Sequence, residues 1–207
     1  MIRRLLSLAA ALLPAAAATL AAGAAVCVDV MVMRTACAES SLVETVQLAF
    51  LLASGTLAAC AAVRRPELRG GFALVAGFFF AMAVREMDGM LDKISHGCWV
   101  YPAVAVTAAA ALAAVRCRRT VLPALERIRG DRGFQMLAVG LFAVLGFSRI
   151  VGYKGIWRAA GEYAHMHMAK RMAEESVELF GYSLILCWAV TFFSGLLSGR
   201  KPEGGVD

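Results

Sequence analysis

Six apolar runs constrain this chain more than anything else in it: residues 5–28, 42–63, 72–90, 100–115, 134–151 and 179–197. Each comes close to the ~20 residues a helix needs to cross ~30 Å of hydrocarbon. The fourth is short and extends through Trp99 on one side and Arg116 on the other. Inside a bilayer the backbone must satisfy its own hydrogen bonds, so only helices and closed barrels span it. These runs are continuous rather than alternating, and they exceed the ~9–11 residues of a barrel strand. Alanine and leucine dominate them, and both favour helix. The expected fold is therefore all-α, a polytopic transmembrane helix bundle of about six spans. Residues 1–198 form one transmembrane domain, because no polar stretch is long enough to fold as a second. The polar, Gly- and Pro-containing segment 199–207 reads as a disordered tail.

The connections alternate in charge. Arg3 and Arg4, then Arg64, Arg65 and Arg69, then the arginines from Arg116 to Arg132, then Arg200 and Lys201 fall on one side. Most of the acids fall on the other. Lys and Arg favour the cytoplasmic face, so both termini are expected there, in the inner membrane of a bacterium, with the acids outside. The net charge of +6 does not suggest nucleic acid. A nucleic-acid footprint is a basic face on a soluble fold, whereas these bases sit in short blocks between apolar runs.

The first run also resembles a signal peptide, with Arg3–Arg4, an alanine-rich centre and A-x-A triplets. It is longer than a usual signal core, and Val26 before Cys27 suits lipoprotein cleavage poorly. A retained helix is expected; cleavage would leave the other orientations unchanged. Segment 154–171 carries Trp157, Tyr163, two histidines and mixed charge. It reads as one helix along the outer interface, where aromatic side chains settle. None of the six cysteines forms a C-x-x-C pair, which removes the main support for a zinc ribbon or thioredoxin-like site. Cys37 and Cys98 are the two placed outside and are expected to pair.

The polar residues near the outer ends share helical faces. Ser40, Glu44, Gln47 and Ser54 are spaced 4, 3 and 7 along the second run, and Arg85, Asp88, Asp92 and His96 are spaced 3, 4 and 4 along the third. Arg171, Glu174, Glu175, Glu178 and Tyr182 lead into the sixth, Arg149 ends the fifth, and Glu86 sits beside the third stripe. Charge facing lipid costs about 2.5–3.5 kcal/mol at the bilayer centre, so these faces should turn inward and meet. Glu44, Gln47, Arg85, Asp88, Asp92, Glu174, Glu175 and Glu178 are the expected binding residues, with Arg85 among the acids as their counter-charge. Close carboxylates cannot all ionise without a proton or a bound cation.

Other chemistries have less behind them. One E-x-x-H (Glu162, His165) is half of what a helical di-iron site uses, and His165 and His167, two apart on a helix, diverge. No G-x-S-x-G is present. Glu174–Glu175 begins like the E-E-x-x-x-R motif of intramembrane CAAX-type proteases, but Leu179 stands at its last position. The set Glu44-x-x-Gln47, Arg85-Glu86-x-Asp88 and Glu174-Glu175-x-x-Glu178 resembles a family of bacterial multi-pass membrane proteins with E-x-x-Q, R-E-x-D and E-E-x-x-E in successive spans. That resemblance implies a membrane bundle and carries no catalytic roles. The expected function is an outward-facing, carboxylate-rich pocket for a cation or for a lipid or cationic head group. A metal-assisted membrane hydrolase or transferase using His96 or His165, and an assembly subunit whose ion pairs only hold helices, are the alternatives. No cofactor or protein partner is legible.

Overall fold

A computed structural model describes residues 2–34, 41–161 and 163–198. Every regular element among them is helical. Five stretches are long and apolar enough to cross a membrane, and a sixth joins them if one bent pair counts as a span.

Helix α1 (Ile2–Cys27) runs on through a π-helical turn, Val28–Met33, and stops at Arg34 in the left-handed region, φ 56°. Helix α2 (Leu42–Arg64) is capped twice. Ser41 Oγ accepts from Glu44 N at 3.3 Å, and Asp29 Oδ1 accepts from Leu42 N at 2.8 Å. These side chains satisfy amides that have no partner within the helix. Asp29 is fully buried there, at the positive end of the α2 dipole. The helix ends before Pro66, whose ring disfavours the helical conformation of Arg65, and a 3₁₀ turn (Pro66–Leu68) leads into α3 (Arg69–Glu86).

Helix α3 stops at Met87, and a single turn, α4 (Asp88–Leu91), follows. The 3-4-4 stripe expected from Arg85 to His96 is therefore not one helical face. Helices α5 (Val100–Arg116) and α6 (Val121–Arg129) meet at a 91° bend. Arg116, Arg118 and Arg119 gather at that bend. Helix α6 buries Ala124 and Ile128 and turns its charges outward, the pattern of a helix lying at an interface.

Helix α7 (Phe134–Phe142), a π-helical turn (Ala143–Phe147) and α8 (Ser148–Val151) make one continuous stretch. The outer interfacial helix expected over 154–171 is only partly realised. Extended backbone at Gly161 ends α9 (Lys154–Ala160), and from Tyr163 the chain belongs to α10 (Tyr163–Leu197), 35 residues long. At 1.5 Å per residue α10 measures about 52 Å, longer than the hydrocarbon is thick.

The centre of the bundle is α10, which touches α1, α2, α7, α8 and α9. Its Trp188 stacks on Phe192 at 5.1 Å, and Phe193 meets Phe72 of α3 edge-on at 5.4 Å. On the far side of α3, close approach depends on missing side chains. A Cβ at Gly77 would stand 2.2 Å from Ala110 Cβ of α5, so the two backbones pack through small residues as membrane helices do. The arginine-rich connections collect at one end. There Arg65 Nη2 donates to Leu196 O, and Gly70 N donates to Thr120 Oγ1 at 2.7 Å.

Candidate functional site

The opposite end of the bundle is polar inside. The N-terminal turns of α2 present Glu44 and Gln47 on one face, three residues apart. Gln47 is fully buried. Its Nε2 donates to the carbonyl and to the Oε2 of Glu175, each at 3.1 Å. One amide thus ties α2 to α10 and orients the Glu175 carboxylate.

The last turn of α3 supplies Arg85 and Glu86. Glu86, with 8% of its side chain exposed, lies 3.3 Å from Arg85 Nη1 and accepts from Tyr182 Oη at 2.7 Å. Tyr182 is itself buried on α10. The phenol and the guanidinium approach the same oxygen, Glu86 Oε1. Met87 then breaks the helix, and Asp88 opens α4 with its Oδ1 accepting from Gly89 N at 2.6 Å.

Helix α8 contributes Arg149, which stands 3.5 Å from Glu174 and in contact with Glu178. The π-helical turn before α8 holds one more residue per turn than α-helix, and this sets the phase at which Arg149 meets α10. Ser148 Oγ lies 3.1 Å from Arg149 Nε and steadies the guanidinium. Lys170, one turn before Glu174, pairs with it at 2.6 Å.

These groups enclose a cavity of about 200 Å³. Glu44 of α2, Arg85 and Glu86 of α3, Asp88 of α4, Arg149 of α8, and His167, Lys170, Arg171, Glu174, Glu175 and Glu178 of α10 line it. Seven of the eight expected residues are at or beside it: six line the cavity, and Gln47 holds one of them, Glu175. Asp92 is the exception. Because α3 has already ended, Asp92 caps a turn, accepting from Gly97 N at 2.8 Å and facing His96 Nδ1 at 3.1 Å. His96 is solvent-exposed beside it and does not reach the cavity.

Arg85 lines the cavity among the acids, as its position in the third run suggests, but it is not their sole counter-charge. It pairs with Glu86, its sequence neighbour, while Arg149 bridges the two α10 acids. Glu162, Ser40 and Cys37 lie outside the described residues, so the E-x-x-H pair and the Cys37–Cys98 bond do too. Cys98 is a free thiol with its Sγ 3.0 Å from Leu91 O. Among the described residues no three His, Cys, Asp or Glu side chains converge on a position for a metal ion.

A second cleft, also about 200 Å³, adjoins the first. Its walls are Thr45 and Leu48 of α2 and Met87, Gly89 and Met90 beyond α3, and it shares Glu44 and Glu86 with the polar cavity. Ionic and mostly apolar spaces therefore meet at these two carboxylates. Glu86 and Lys170 were undervalued by spacing alone. Glu86 falls off the 3-4-4 stripe, and Lys170 belongs to a segment that reads as interfacial. The presence of Glu86 deep in an apolar run was the available signal, since a charge there needs a partner. No family model, curated protein or solved structure matches the chain.

Proposed function

We propose that this chain is a multi-pass protein of a bacterial inner membrane whose outward-facing, carboxylate-rich cavity binds an organic cation or a cationic head group. The observation that carries the proposal is the charge balance of the cavity. Six carboxylates line it against Arg85, Arg149, Lys170 and Arg171. Several of the acids are matched internally, Glu86 by Arg85 and Glu174 and Glu178 by Arg149 and Lys170. Among the described residues the Asp88 side chain, which is exposed, pairs only with the amide of its own turn. A carboxylate left in this way attracts a cation from outside.

The orientation follows from the arginine-rich connections at the other end of the bundle, which favour the cytoplasm and leave both termini there. An organic cation fits better than a metal ion, because among the described residues no three His, Cys, Asp or Glu side chains converge on one point. Glu44, Asp88 and Glu175 are the residues that take the cation. Gln47 positions Glu175, and Arg149 holds the α10 acids in place.

The second reading is an assembly subunit, favoured by the Arg149 bridge, which would hold α8 against α10 with or without a ligand. Thermal unfolding of the detergent-solubilised protein in rising ethanolamine separates the two. Binding to the folded state raises the midpoint with concentration. The wild type should be stabilised, and the Glu44→Gln/Asp88→Asn variant should lose that response. A wild type indifferent to ethanolamine, or a double variant that responds equally, would favour the assembly role.

A further inference from the structure

Two charged groups that line the cavity, Asp88 and Arg171, have opposite signs and enter no ion pair among the described residues. Asp88 faces the cavity with no cationic partner among the described residues. Arg171 lines the same cavity, enters no ion pair among the described residues, and has a buried Nε without a hydrogen-bond partner. A buried guanidinium N–H that donates to nothing is costly. A ligand that supplies an anion to the part-exposed guanidinium of Arg171 and a cation to the exposed carboxylate of Asp88 complements both charges.

The walls also define the cation. Quaternary ammonium groups are recognised by the faces of aromatic rings, and among the described residues no Phe, Tyr or Trp lines this cavity. Carboxylates instead accept hydrogen bonds, so they select an ammonium that still carries N–H. The adjoining cleft then supplies what a free head group does not use. Leu48, Met87 and Met90 line an apolar cleft beside the acids, and Met90 is exposed. A polar chamber continuous with an apolar cleft matches an amphiphile.

Resting on the reading of the cavity as a cation site, we propose that its ligand is a phospholipid with a primary-ammonium head group. The phosphate lies at Arg171, the ammonium lies between Glu44 and Asp88, and one acyl chain lies in the cleft between α2 and α4. Arg171 offers the phosphate a planar fork that lysine does not have.

Native mass spectrometry of the detergent-solubilised protein, incubated with an equimolar mixture of phosphatidylethanolamine, phosphatidylcholine and phosphatidylglycerol, tests this. One phosphatidylethanolamine should be retained per chain, at least about tenfold over either competitor, and glycerophosphoethanolamine, which lacks the chains, should bind at least about tenfold more weakly. Arg171→Gln and the cleft-filling Leu48→Trp should each lower phosphatidylethanolamine retention, with circular dichroism reporting whether the variant is folded. Where a variant fails to fold, the lipid and chain-free comparisons on the wild type decide alone. Equal retention of ethanolamine and choline lipids, a preference for phosphatidylglycerol, or equal binding of the chain-free head group overturns the proposal. If ethanolamine still stabilises the protein in those cases, the cation site stands and only the lipid assignment falls. If ethanolamine has no effect either, both fall.

Discussion

Replacing Arg149 with alanine isolates the bridge between α8 and α10. The two acids it holds depend on it unequally. Glu174 keeps Lys170 at 2.6 Å. Glu178, with 4% of its side chain exposed, has no other cationic partner among the described residues. Removing one member of a buried ion pair costs about 3–5 kcal/mol, because the remaining charge stays in low dielectric without compensation. Arg149 is itself 43% exposed, so water already screens part of the attraction, and the loss is set at about 2–4 kcal/mol. In a chain of this size 1 kcal/mol moves the melting point by about 2–4 °C, so a loss near 3 kcal/mol lowers it by about 6–12 °C. The assay is thermal unfolding in detergent micelles, followed by the near-ultraviolet circular dichroism of the Trp188 cluster. Adding Glu178→Gln to Arg149→Ala should restore most of the loss, since a neutral amide needs no counter-charge. A midpoint that moves by less than about 2 °C in the single variant, or a double variant no more stable than the single, would refute this assignment of the stranded charge.

Gly77→Ala should separate α3 from α5 and cost about 1–3 kcal/mol in the same assay, and the swap Gly77→Ala/Ala110→Gly should recover it by moving the methyl to the facing helix. Asp29→Ala should cost about 1–2 kcal/mol through loss of the α2 cap, while Asp29→Asn keeps an acceptor for Leu42 N and should cost less; equal losses would mean that the cap is not the source. A reporter fused after Asp207 should be active only on the cytoplasmic side, and a signal from the outer side would invert the bundle and point the cavity inward.

The long apolar helices were legible because bilayer thickness selects run length, and a break in an apolar run is visible without any knowledge of packing. The run 42–63 and helix α2 differ by one residue for this reason: Ser41 and Pro66 punctuate it chemically. The placing of Glu44 and Glu178 in one cavity was open to deduction from the polar stripes of their helices, whereas Asp88 lines it from α4, beyond the break at Met87. What spacing did not carry was helical phase. The extra residue in the π-helical turn Ala143–Phe147 leaves no compositional mark, yet it decides that Arg149 meets α10 and becomes the bridge. The break at Met87 likewise detaches Asp92 from a stripe that regular geometry would continue. Asp29 stood at the end of an apolar run, where acids are ordinary; its role depends on a contact with Leu42, which a single helical register does not reveal.

The length of α10 has a mechanical consequence. It is an unbroken rod without proline, with the cavity acids Glu174, Glu175 and Glu178 near its middle and the Leu196 carbonyl, gripped by Arg65, at its far end. Between Glu178 and Leu196 the lever arm is about 27 Å, so a tilt of about 5° at the cavity sweeps the far end through about 2 Å. That displacement is several times the roughly 0.5 Å over which hydrogen-bond distances range. The Arg65 clasp therefore registers, on one side of the bundle, the angle at which the rod is held on the other.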